Sequence, residues 1–153
     1  MLLEQNAAAK QSIHKALELD PTNAAAYHTQ GRLLANLEEW AEAVVSYTKA
    51  ITLDPKQAVF YANRSGALIE MGRFEESLVD CEKGSKLFGL SADLLMNKAV
   101  ALDQLGKSSE GLFCYDEALR IHPGNALTHY NKSLLNLRSG NLMDVFAGYE
   151  RRW

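Results

Sequence analysis

With 153 residues, 47% hydrophobic content and a formal charge of −3, the chain has the composition of one globular domain. A slightly acidic balance without clustered Lys and Arg argues against a nucleic-acid partner, and no run reaches the ~20 apolar residues that span a bilayer. Two cysteines, Cys81 and Cys114, form no disulfide framework, and Met1-Leu2-Leu3-Glu4-Gln5-Asn6 lacks the basic start and long apolar stretch of a signal peptide. The expected setting is therefore reducing and cytoplasmic.

In chain order, residues 2–19 have helical spacing and stand alone before the first proline turn. Residues 24 to about 37 follow, with Tyr27, Leu33, Leu34 and Leu37 apolar, then a turn at Glu38-Glu39. A second helix, 40–53, carries Ala43, Val44, Tyr47, Ala50 and Ile51 on one face. Asp54-Pro55 ends it, because proline has no N–H to extend the ladder and disfavours the α conformation before it. The pattern then recurs: 58–71, a turn at Gly72-Arg73, and 74–87; 92–105, a turn at Gly106-Lys107, and 108–121; a start at Ala126, a turn at Gly140-Asn141, and 142–153. About nine helices are predicted in all.

The period is 34 residues. It aligns Tyr27, Tyr61 and Leu95; Tyr47, Cys81 and Tyr115; Ala50, Gly84 and Ala118; and Pro21, Pro55, Gly89 and Pro123. Gly72, Gly106 and Gly140 share one column, where a helix must end in a left-handed residue. Small side chains at Ala43, Ser77 and Gly111 let paired helices approach closely, and Tyr47, Cys81 and Tyr115 fill the gap between successive hairpins. A fixed repeat of this length means stacked hairpins that bury their apolar faces only against each other.

These columns resemble the tetratricopeptide repeat, whose pattern sets an aromatic, Leu-Gly and Tyr in the first helix and Ala, an aromatic, Ala and Pro in the second. The resemblance implies an all-α, right-handed superhelical solenoid of antiparallel helix-turn-helix hairpins. A single domain over 1–153 then divides into a half repeat (1–21), full repeats at 24–57, 58–91 and 92–125, and an incomplete last repeat (126–153). Gly89 in place of proline, Arg64 and Lys98 in place of the early Leu, and Val145 in place of the small Ala depart from the pattern.

In this family the first helix of each hairpin lines the concave face. Carried onto this chain, the inward set is His28, Thr29, Arg32 and Asn36; Ala62, Asn63, Gly66 and Glu70; Met96, Asn97, Val100 and Gln104; and Tyr130, Asn131, Leu134 and Arg138. Such a surface suits an extended peptide, with Asn63, Asn97, Asn131, Arg32, His28, Tyr130 and Arg138 as its candidate contacts. An amide offers an acceptor and two donors and so can pair with both groups of a peptide unit. The asparagine row is similar to the ladder of O-GlcNAc transferase superhelices; it is equally compatible with bonds to a neighbouring turn.

Tyr61-Ala62-Asn63-Arg64-Ser65 resembles the middle helix of the carboxylate clamp that holds acidic chaperone tails. His28, Arg32 and Asp93 stand where the clamp has other residues, and an Asp there repels a carboxylate. Gly140-Asn141-Leu142 with Gly148-Tyr149-Glu150-Arg151-Arg152-Trp153 is similar to the last repeat before a bacterial glycosyltransferase domain. That ending makes a substrate-recognition arm of a larger glycosyltransferase one alternative to a free-standing protein-interaction module. An apolar face of Leu142, Val145, Phe146, Tyr149 and Trp153 makes self-assembly into a homo-oligomer through the end hairpins another.

No catalytic residues, cofactor or metal are expected. His14, His28, His122 and His129 share no ligand spacing, Gly106-Lys107-Ser108-Ser109 lacks the rest of a phosphate loop, and no nucleophile motif occurs. Glu75, Glu76, Asp80 and Glu82 read as a solvated outer face.

Overall fold

The computed structural model describes residues 2–140, within which eight helices and no strands occur. These are α1 (Leu2–Leu19), α2 (Ala24–Asn36), α3 (Trp40–Leu53), α4 (Ala58–Glu70), α5 (Phe74–Phe88), α6 (Ala92–Gln104), α7 (Ser108–Ile121) and α8 (Ala126–Arg138). The ninth helix expected over 142–153 lies outside the described residues, as does the apolar face assigned to it.

The turn between paired helices is built identically three times. The N–H groups of Glu39, Arg73 and Lys107 reach back to the carbonyls of Leu34, Leu68 and Leu102 at 2.9, 2.9 and 2.8 Å. That bond requires a left-handed residue just before the donor. Gly72 and Gly106 supply it at φ 71° and 77°, but the first turn uses Glu38 at φ 60°. An L-residue held there costs about 1–2 kcal/mol. The helix starts repeat as well: Asn23, Ser91 and Asn125 each accept an N–H from the residue three positions on.

Consecutive helices pack as antiparallel pairs, and the pairs stack. Tyr47 of α3 lies among Ala67 and Leu68 of α4, and Tyr115 of α7 against Leu135 of α8. Each second helix is thus sealed by the following hairpin. Its neighbours must be small: a Cβ on Gly31 would meet the Tyr47 ring at 2.6 Å, and one on Gly84 the Leu94 side chain at 2.9 Å. Among the described residues α4 touches α2 and α6, and α6 touches α8, whereas α3, α5 and α7 do not touch one another. The stack therefore curves with α2, α4, α6 and α8 on its inner side.

The charges expected to face solvent include a buried one. Asp80 is 2% exposed and receives a two-pronged bond from Arg64, Nε–Oδ2 2.7 Å and Nη2–Oδ1 2.6 Å, while Arg64 Nη1 donates to Thr48 Oγ1 at 3.0 Å. The guanidinium links α3, α4 and α5. Lys98 and Lys132 occupy the same column as Arg64 and pair with Glu82 at 3.8 Å and Asp116 at 2.6 Å. The departures from the repeat pattern at Arg64 and Lys98 are the cationic halves of cross-helix pairs.

One column breaks down in α8. Asn136 falls in register with Leu34, Leu68 and Leu102, is 6% exposed, and its Oδ1 has no hydrogen-bond partner among the described residues. A buried unpaired acceptor costs about 1–3 kcal/mol, so Asn136→Leu is expected to raise unfolding stability by that order, read as a higher urea midpoint. Glu38→Gly relieves the left-handed glutamate and should raise the same midpoint by about 1 kcal/mol, less glycine's greater entropy loss.

Candidate binding groove

The inner helices enclose two adjoining concavities, of about 410 and 360 Å³. The first is lined by Arg32, Asn36, Trp40, Asn63 and Asp93 among others, the second by Val100, Gln104, Leu127, Asn131, Leu134 and Arg138. Gly66, Glu70, Met96 and Asn97 line both and make them one groove. Of the expected contacts, Arg32, Asn63, Asn97, Asn131 and Arg138 line it. His28 stands behind Asn63, and Tyr130 lies one turn from Leu127 with 61% of its surface exposed. Asp93, Trp40 and Leu127 also line the groove, beyond the expected set; the helical spacing from Asn97 and Asn131 already places Asp93 and Leu127 one turn away on the same side.

Each pair of inner helices is joined by a polar tie. Asn63 Nδ2 donates to His28 Nε2 at 2.7 Å, joining α4 to α2. Asn97 Nδ2 donates to the Ala62 carbonyl at 2.9 Å and to Ser65 Oγ at 2.8 Å, joining α6 to α4. Arg138 Nη2 donates to Asp103 Oδ2, joining α8 to α6. Asn131 makes no such bond among the described residues. The row is therefore chemically uneven: both donors of Asn97 and one of the two of Asn63 are engaged within the protein, and their carbonyl oxygens have no protein donor among the described residues.

The groove's charges differ in the same way. Asp103 is neutralised by Arg138. Arg32, Glu70 and Asp93 make no ion pair or side-chain hydrogen bond among the described residues. Toward α8 the surface turns apolar, with Leu127 55% and Leu134 38% exposed. On the side of α6 turned away from the groove lies a cavity of about 580 Å³ lined by Leu90, Leu95, Leu102, Phe113 and Cys114. Burial pushes the Cys114 thiol up, so it is a poor nucleophile. No group of three or more potential metal ligands occurs among the described residues, and none of their helices is long and apolar enough to cross a membrane.

His28 packs against Phe60 with ring centroids 4.8 Å apart and Tyr47 at 5.8 Å. Burial first, then the nearby Arg32 charge, lower its pKa below the ordinary 6.5. Protonation would also turn Nε2 from acceptor to donor and break the Asn63 tie. With the folded pKa depressed, the stabilisation is complete above the unfolded value and is lost as pH falls through it toward the folded value. The urea midpoint is expected to drop as pH is lowered from neutral through the ordinary histidine range, and to drop less in His28→Gln.

Comparisons with known proteins agree with this architecture. Family models described as tetratricopeptide repeat match residues 24–57 and residues 92–125. No curated protein sequence matches the chain. Among solved structures, MamA (41 to its end) from Desulfovibrio magneticus RS-1 aligns with a TM-score of 0.85 at 16% identity, over 95% of this chain and 82% of that one. The Arabidopsis OM64 repeat domain gives 0.70 at 24%, over 73% and 93%. The first repeat domain of Spaghetti (RPAP3), solved with the HSP90 peptide SRMEEVD, gives 0.72 at 21%, over 76% and 93%. The fold is the helical solenoid of tetratricopeptide-repeat structures, and two matched units support that family.

Proposed function

We propose that this repeat solenoid is a protein-interaction module that holds an extended peptide segment of a partner along its inner groove. The observation that carries the reading is the continuity of the groove across four inner helices, with an amide column set into its floor. Asn97 is locked by two bonds before any ligand arrives, so docking does not have to immobilise it. The free carbonyls of Asn63 and Asn97 accept backbone N–H groups of the docked segment, and Asn131 offers both a donor and an acceptor. That the RPAP3 repeat domain of similar fold is bound to a peptide supports a peptide as the class of ligand for this chain. In a longer protein, the Gly148-to-Trp153 ending favours use of the groove as a substrate-guiding arm of a glycosyltransferase; the groove would hold its ligand in the same way.

Gly66 provides the test. A Cβ there meets only Asn97 Nδ2, at an ordinary 3.7 Å, and the position lines both concavities. Gly66→Ala should fold and gain about 0.5–1 kcal/mol, because mid-helix glycine is entropically costly. Gly66→Arg projects a long side chain along the groove. Peptides selected on the wild type from a random library of about twelve residues, ~40 Å extended, should bind Gly66→Arg at least about tenfold more weakly with its helicity unchanged. Equal binding by both proteins overturns the groove as the site.

A further inference from the structure

Taking the groove reading as given, we infer that the groove selects a cationic and apolar segment: Lys or Arg side chains pair with Asp93 at the start of α6 and with Glu70 at the end of α4, and apolar side chains lie on Leu127 and Leu134 of α8. Four observations converge on this chemistry.

Elsewhere the protein neutralises its largely buried carboxylates from within. Asp80 is held by Arg64 and Asp103 by Arg138. Glu70 and Asp93 line the same concavity, from α4 and α6, and no cation among the described residues pairs with either. The amides beside them add to the imbalance. Asn97 directs both its N–H groups to Ala62 and Ser65 and Asn63 one of its two to His28, so the two amides together present two carbonyl oxygens and a single N–H. On the α4 and α6 sides of the concavity, two carboxylates and two amide carbonyls accept hydrogen bonds, while the donors of Arg32 lie on the α2 side; an ammonium or guanidinium supplies donors only.

Trp40 lines this concavity as well, and an indole face attracts a cation. The cation of the concavity, Arg32, belongs to its α2 side, near enough to His28 and Tyr47 to influence both. Past Asn97 the groove passes to Leu127 and Leu134, and the exposed Tyr130, one turn from each on α8, extends that apolar stripe at its edge. Order along the groove is thus acceptor-rich first and apolar second. An acidic tail would meet Glu70 and Asp93 as like charges, a mismatch that disfavours wrong partners.

The experiment uses the same random peptide library displayed against the whole chain, with Glu70→Gln/Asp93→Asn and Gly66→Arg run in parallel. The expected result is enrichment of peptides carrying Lys or Arg a few residues from Leu, Phe or similar side chains. These should bind the double variant about tenfold more weakly, with affinity that falls as salt is raised in the wild type and less so in the variant. The paired amides keep the shape of the carboxylates they replace, so helicity and urea midpoint serve as folding controls. Acidic or neutral peptides that are still blocked by Gly66→Arg would overturn the cationic selection and leave the groove standing. Basic peptides that bind the double variant undiminished would do the same. Peptides that bind Gly66→Arg as well as wild type, or a selection that enriches none, would overturn both readings.

Discussion

Everything in this molecule depends on the fact that no hairpin can cover its own apolar face. The aromatic side chain of a second helix, Tyr47 or Tyr115, is sealed only when the next hairpin brings Leu68 or Leu135 over it. That requirement sets the small residues beneath the rings and fixes the spacing of the stack. It also brings the first helices of successive units edge to edge on one side, and the groove is the surface they form. Removal of a hairpin from the middle would expose the ring of the unit before it and interrupt the amide column together.

Electrostatics is layered onto that scaffold in two modes. Away from the groove, charges are cancelled locally: Arg64 with Asp80, Lys98 with Glu82, Lys132 with Asp116. The first of these is largely buried, where an uncompensated charge is expensive. Inside the groove the cancellation is partial. Asp103 is paired, and Glu70 and Asp93 are not; among the described residues they outnumber the one unpaired cation of the lining, Arg32, by a single charge.

Much of this architecture is legible in the chain itself. The period of 34 places the helices and the proline turns, and the resemblance to tetratricopeptide repeats puts Arg32, Asn63, Asn97, Asn131 and Arg138 on the groove side, where they line it. The same columns also hold their own exceptions. Glu38 stands in the column of Gly72 and Gly106, and Asn136 stands in the column of Leu34, Leu68 and Leu102, so a strained turn and a polar core position are both visible as odd members of a column. Other features leave no local signal. Asp80 lies among acidic residues on an outer helix, and only the approach of Arg64, sixteen residues earlier, buries it. The use of Asn97's donors depends on the crossing of α6 over α4, which no spacing within one helix encodes.

The inner helices are held at one another's edges by ties, while α3, α5 and α7 stand apart. Mechanically that is a set of leaves stitched along one margin and open along the other, so its compliance resides in the stitches. The Asn63–His28 tie is a single bond between neutral groups, the Asn97 tie two bonds, and the Arg138–Asp103 tie an ion pair. The Arg138 half of that pair is largely exposed, which weakens it. The seam is therefore closed most firmly between α4 and α6, where two bonds join the broadest approach of two inner helices, and is freest to open toward α2 and toward α8.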